Sequence, residues 1–288
     1  MCDSLVALAS ATDTGRTIFA KNSDRPPHER QVIEHHMARA PGGGSVRCTH
    51  IEVDDAGALA VVGSRPEWQW GFEHGLNEAG VVAGNETIFT TLDPRRAEPA
   101  LIGMDLVRLG LERATSARQW VEVVTDLLER HGQGGTGHDG ADRPYWSSFL
   151  VADRSSAYVV ETSGRTYDVE EVQRSRAISN RTTIPAFDAA HRHPKQPVER
   201  LVDPRWEASK RVLADEPVTV DKVMRHLRSH DGVDGYSVCM HVPDVEATTA
   251  SVVVELGDDD VVSHWLLGSP CTGTYTAMRS PRAQRLTT

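Results

Sequence analysis

No stretch of the chain approaches the roughly 18 to 20 consecutive apolar residues that a membrane-spanning helix requires. Its start also lacks the basic segment followed by an apolar one that marks a secretory signal. A soluble, cytoplasmic protein is expected. Cations are in deficit, with 31 Lys and Arg against 41 Asp and Glu and a formal net charge of −10, which argues against a surface that tracks a phosphate backbone. Neither nucleic acid nor a membrane is an expected partner. Cysteine is sparse: Cys2, Cys48, Cys239 and Cys271 lie far apart with no CxxC or CxC spacing, so neither a disulfide framework nor a zinc ribbon is suggested. Aromatics are few, at 6%, yet 39% of the 288 residues are hydrophobic, enough to bury a sizeable core in a single domain over 1–288.

What is present begins at the second residue. Cys2 is small enough for Met1 to be cleaved by a methionine aminopeptidase, and that processing leaves an N-terminal cysteine. Position alone proves no chemistry, since some residue must follow Met1. Short β-rich runs come next, at 5–9, 17–20, 58–62 and 81–83, separated by Gly, Asp and Asn turn signals. Residues 104–113 and 117–129 repeat apolar positions at helical spacing, with Ser116 placed to cap the second helix. A Gly-rich loop at 131–140 leads to strands at 148–152, 157–161 and 176–179. Two helical patterns follow over 203–229, the second opened by Thr219, and strands at 251–255 and 261–266 close the chain. This order predicts an α+β fold, a four-layer αββα sandwich of two mainly antiparallel sheets with flanking helices. Such a sandwich can carry a nucleophile on the first residue of its first strand, where a free α-amino group of pKa about 7.7 to 8.0 can take the proton of a thiol of pKa about 8.5.

Ten ordered blocks carry a resemblance: MCDSLVA at 1–7, IFAKNSDRP at 18–26, CTHIEV at 48–53, SRPEWQWG at 64–71, GLNEAGV at 75–81, GNET at 84–87, GMDLVRL at 103–109, LLERHGQGG at 127–135, AISN at 177–180 and VCMH at 238–241. Together they resemble the secernin and cysteine dipeptidase family of N-terminal-nucleophile hydrolases, relatives of penicillin V acylase and choloylglycine hydrolase. The likeness covers nearly the whole chain, which is shorter than typical secernins between Asn180 and Val238 and after 268–270. It implies that Cys2 forms a thioester with the acyl half of an amide. Asp24 corresponds to the carboxylate set against the cysteine's amine, and Lys21 falls where related acylases carry an arginine. A run of Asn, Ser, Asp and Pro otherwise reads as a polar turn after a strand. Arg25, the second cation of the run, is a substrate-binding candidate. Asn180 stands where the family places an oxyanion asparagine, and Asn85 is a second candidate donor with Glu86 competing for its place. Arg205 matches a late active-site arginine, with Arg211 as its rival.

Other features carry less. His226 and His230 stand at i and i+4, but no Glu follows the first and no carboxylate sits at ligand spacing. The 13 histidines are read as solvated surface residues, with no metal and no cofactor expected. Trp68 and Trp70 alternate with Phe72; they are candidates for a substrate-pocket wall, although the same alternation suits one face of a strand. GQGG at 132–135 lacks the Lys-Ser/Thr ending of a phosphate loop. The reading is a cysteine amidohydrolase acting on a small amide or short peptide, in a chain that can form a homo-oligomer. Two alternatives stand beside it: an acyltransferase that passes the Cys2 acyl group to an amine, and a non-catalytic secernin-like regulatory protein.

Overall fold

The computed structural model describes residues 1–196 and 198–281. Strands β1 (Cys2–Ala7), β2 (Thr17–Arg25), β3 (Gln31–His36), β4 (Val61–Pro66), β5 (His74–Asn77) and β6 (Val82–Ile88) come first, followed by helices α1 (Gly103–Arg113) and α2 (Ala117–His131). Strands β7 (Trp146–Ala152), β8 (Ala157–Ser163), β9 (Thr166–Glu171) and β10 (Ser175–Ile178) precede helices α3 (Asp203–Ala214) and α4 (Val220–Leu227). Strands β11 (Glu246–Leu256), β12 (Asp260–Leu267) and β13 (Thr276–Pro281) are the last of the two large sheets. One sheet has the order β10-β1-β2-β11-β12-β13 and the other β9-β8-β7-β6-β5-β4-β3, antiparallel throughout.

The sheets face each other where β1 crosses β6 and β7, while α1 and α2 cover the second sheet and α3 and α4 cover the first. This is the helix–sheet–sheet–helix layering that the element order predicts. Three apolar layers fill it. Leu106, Trp120 and Phe149 pack under α1 and α2; Val6, Phe19, Leu150 and Trp265 lie between the sheets; Leu5, Ile18, Leu213 and Val223 lie under α3 and α4. Neighbours on β1 and β2 thus alternate between two buried faces, as a period of two requires, so these strands read as continuous apolar runs rather than as alternating ones. Ser116 caps α2 by accepting from the Gln119 N–H at 3.2 Å, and Thr219 caps α4 by accepting from Lys222 at 3.2 Å.

Two local readings change. Residues 21–25 are not a turn: they extend β2 by five fully buried positions. The Gly-rich loop contains a hairpin of Thr136–His138 with Ala141–Pro144. Among the described residues no helix is long and apolar enough to cross a membrane.

The close approach of α1 to α2 depends on Gly110, where an added Cβ would stand 2.2 Å from Trp120 Nε1. Trp120 is fully buried and its ring lies 5.5 Å from Phe149, so it has nowhere to retreat. Gly110→Ala therefore sets a helix-propensity gain of about 1 kcal/mol against an overpacking cost of about 1 to 3 kcal/mol. With so deep an overlap, overpacking wins. Denaturant unfolding of the variant should show a loss of stability of about 2 kcal/mol, and an unchanged or raised stability would contradict this account of the helix pair.

Candidate functional site

The buried polar end of β2 organises the site. Lys21, Ser23 and Arg25 point toward the second sheet, and Asn22 and Asp24 toward the helix layer; all five are buried. Each finds partners from distant elements. Lys21 Nζ lies 3.5 Å from Glu86 Oε1 and passes over Gly84, where an added Cβ would stand 2.5 Å from Lys21 Cδ. Asn22 Nδ2 donates to the carbonyls of Leu227 and Val238 at 2.9 and 2.8 Å. Ser23 Oγ meets His74 Nδ1 at 3.0 Å. Asp24 Oδ1 accepts from Thr248 Oγ1 at 2.7 Å, while Oδ2 has no hydrogen-bond partner among the described residues. Arg25 binds Glu73 Oε1 at 2.9 Å, the Gly137 carbonyl at 2.7 Å and Glu29.

Cys2, the first residue of β1, lies opposite Ser23 on β2. Its backbone N donates to Asn180 Oδ1 at 2.9 Å, and Arg205 Nη2 donates to the same oxygen at 2.9 Å. Two donors on one atom fix which way the Asn180 amide faces. Asn180 Nδ2 in turn donates to the Thr87 carbonyl at 3.0 Å. Arg205, fully buried on α3, also donates to Asp3 Oδ2 at 2.6 Å and stands 3.9 Å from Asp24 Oδ2. The Met1 carbonyl accepts from the Asp24 N–H at 2.9 Å, and the Met1 ammonium is held by Glu246.

Cys2, Asp24, Arg25, Glu73 and Asn85 open on one cavity of about 640 Å³. Glu73 Oε2 lies 4.0 Å from Cys2 Sγ. Asn85 Nδ2 touches Met104 Sδ at 3.4 Å and its Oδ1 has no partner among the described residues. Burial pushes the Cys2 thiol up, opposed by the Lys21 ammonium and the N-terminal amine. Burial likewise raises Asp24 to about 6, against the pull of the N-terminal amine and Arg205, and raises Glu86 to about 7, against Lys21. Lys21 is raised: burial opposes its charge, but Cys2, Glu86 and Glu73 together outweigh burial.

Of the residues singled out from sequence, Cys2, Asp24, Arg25 and Asn85 line the cavity, whereas Lys21, Asn180 and Arg205 stand behind them. Glu86 is committed to Lys21 and Ser4 and does not line the cavity; Arg211 is exposed. Trp68 and Trp70 do not form the expected wall. The Trp68 indole N–H donates to Glu29 Oε2 at 3.0 Å, and Trp70 lies 4.1 Å under the Arg108 guanidinium, so both rings are used in packing outside the cavity. Phe89, Tyr145 and Tyr236 supply its aromatic surface instead. The histidines are not uniformly solvated: His226 is buried against Ser209 Oγ at 2.9 Å. Glu73 is one residue that sequence reading missed, since it falls between two of the quoted blocks and only the fold brings it to Cys2; Glu246 on the cavity wall is another.

No family model matches the chain. Among solved structures, it is similar to a cysteine-to-alanine mutant of conjugated bile acid hydrolase from Clostridium perfringens, with a TM-score of 0.59, 12% identity and 98% of each chain covered. An arginine-to-leucine variant of the same hydrolase gives a TM-score of 0.53 at 12% identity, covering 98% of this chain and 99% of that one. The Caenorhabditis elegans ortholog of N-acylethanolamine-hydrolyzing acid amidase gives 0.53 at 12% identity, covering 88% and 92%. At this identity the likeness is one of fold: two large antiparallel sheets between layers of helices.

If Lys21 helps to ionise Cys2, Lys21→Met should raise the thiol pKa and slow its alkylation at neutral pH by about tenfold or more. Because the single change strands Glu86 in the interior, Lys21→Met/Glu86→Gln removes both charges and should show the same slowing in a folded protein. Peptide-resolved iodoacetamide kinetics report the rate at Cys2, and a wild-type rate in the double variant would exclude Lys21 from this role.

Proposed function

We propose that the protein is a cysteine amidohydrolase whose nucleophile is Cys2 after removal of Met1. The observation that carries this reading is the placement of Cys2: its sulfur faces a cavity of about 640 Å³ while its nitrogen is already held by Asn180 Oδ1 at 2.9 Å. Removal of Met1 makes that nitrogen an amine on the same residue as the thiol, frees the Asp24 N–H from the Met1 carbonyl, and enlarges the cavity by the side chain that now lines it.

The proton of the Cys2 thiol passes to the Cys2 amine as sulfur attacks the substrate carbonyl carbon, giving a tetrahedral oxyanion. Collapse breaks the C–N bond, and the ammonium returns the proton to the departing amine. The resulting thioester is opened by water, which releases the acid and restores the thiol. Asn180 Oδ1 and the Asp24 carboxylate orient and stabilise the ammonium. Asn85, on the cavity wall, is the donor assigned to the oxyanion, whereas Asn180, which stands behind the wall, is assigned to the amine instead.

Within this class the dipeptidase reading of the sequence blocks is favoured by one contact. Glu246, on the cavity wall, binds a primary α-ammonium, that of Met1. A substrate with a free amino terminus offers the same group once Met1 is gone.

Three measurements test this. Intact mass of fully active protein should show the loss of one methionine, and Cys2→Ala should lose activity by several orders of magnitude while melting like the wild type; active protein that retains Met1 would refute the mechanism. Glu246→Gln should raise KM by about 10- to 100-fold for peptides with a free amino terminus, the worth of a charged hydrogen bond, with little change for their N-acetylated counterparts. Equal effects on both substrate sets would remove Glu246 from ammonium recognition and leave the Cys2 mechanism untouched.

A further inference from the structure

Away from the cavity, four side chains that are distant in sequence converge. His230 follows α4, Cys239 precedes and His241 begins a two-residue strand (His241–Val242) on the edge of β11, and Cys271 follows β12. Each offers one donor atom, and all four atoms lie within 4.8 Å of one another. His241 Nε2 stands 3.4 Å from Cys239 Sγ and 3.2 Å from Cys271 Sγ. The His230 and His241 rings are 5.1 Å apart at 80°, so neither blocks the other. A cavity of about 350 Å³ bordered by His230, His241 and Cys271 gives access.

We propose that His230, Cys239, His241 and Cys271 form a structural zinc site. Two thiolates and two imidazoles are the soft, borderline donor set that selects zinc over magnesium or calcium. Metal–ligand bonds of 2.0 to 2.3 Å at tetrahedral angles put neighbouring donors about 3.3 to 3.8 Å apart. The two separations involving His241, 3.4 and 3.2 Å, lie in or just below that range, and all four donors already fall within 4.8 Å of one another. Four protein ligands leave no open position, which marks a structural site rather than a catalytic one. On binding, each cysteine gives up its thiol proton to solvent and the imidazoles bind as neutral rings.

The backbone around the cluster is already pinned. Cys239 N–H donates to the Ser229 carbonyl at 2.8 Å and His241 N–H to the Gly235 carbonyl at 2.9 Å. The ion would staple the end of α4 to the loop after β12 across the 230–246 segment. That segment supplies Tyr236, Val245 and Glu246 to the wall of the large cavity. Its Met240 N–H also donates to Thr248 Oγ1 at 2.8 Å, and Thr248 donates to Asp24.

The test is metal content of the full-length protein, purified from reducing buffer without chelators or metal-affinity resin and then incubated with equimolar zinc. One equivalent of zinc per chain is expected. Cobalt substituted for it should give tetrahedral d–d absorption with thiolate-to-cobalt charge transfer. Cys271→Ser, in a half-buried loop position, should fold, lose stoichiometric zinc and lose the zinc-dependent rise in Tm, whereas Cys48→Ser should keep all three. Zinc well below one equivalent in the wild type would overturn the proposal. So would full retention by Cys239→Ser/Cys271→Ser, or a Cys239–Cys271 disulfide in protein kept reduced.

Discussion

Burying five consecutive polar residues at the end of β2 is the constraint around which the rest of the site is arranged. An unpaired charge in the interior costs several kcal/mol even after relaxation, so each of these side chains must be met by a partner that the fold delivers. The partners come from three of the four layers: Glu86 from β6, Glu73 from just before β5, Arg205 from α3 and Thr248 from β11. One strand end therefore ties both sheets and one helix layer together, which is a packing requirement and a site-building requirement at once. The charges do not balance. Lys21, Arg25 and Arg205 face Asp3, Asp24, Glu29, Glu73 and Glu86, an excess of carboxylate that adds to burial in raising Asp24 and Glu86.

The layers of the fold were legible because their signals are local. Apolar spacing and Ser116 are enough to define α2, and the apolar runs at Leu5 and Ile18 mark strands buried on both faces. The polar end of β2 was not legible in the same way. Lys-Asn-Ser-Asp-Arg has the composition of a turn, and only long-range partners, Glu86 at 65 positions from Lys21 and Arg205 further still, make it a strand. Its importance came from the family resemblance, which supplied residues but not their contacts. Trp68 and Trp70 show the opposite error: alternation suggested a shared face, but the residues from 67 to 73 form no strand, and their rings go to Glu29 and Arg108. Cys239 and Cys271 were set aside for want of a short spacing, and a spacing rule cannot find ligands gathered from an edge strand and a loop.

The identity of residue 180 follows from the same excess of acid. The nitrogen of Cys2 needs an acceptor, and a carboxylate there would bind an ammonium more tightly than an amide does. It would also hold the proton. A base must release its proton to the leaving group, and a buried amine holds its proton less tightly than one in water. Asn180 accepts through Oδ1 without adding charge, and Arg205 Nη2 shares that oxygen at 2.9 Å, which further discourages a proton from staying. Its Nδ2 at the same time braces Thr87 on the cavity wall, a contact that an aspartate would turn into a repulsion between two oxygens. In the proposed mechanism, the neutral amide thus keeps the amine oriented and basic but willing to give its proton back, with Arg205 bound to the same amide oxygen.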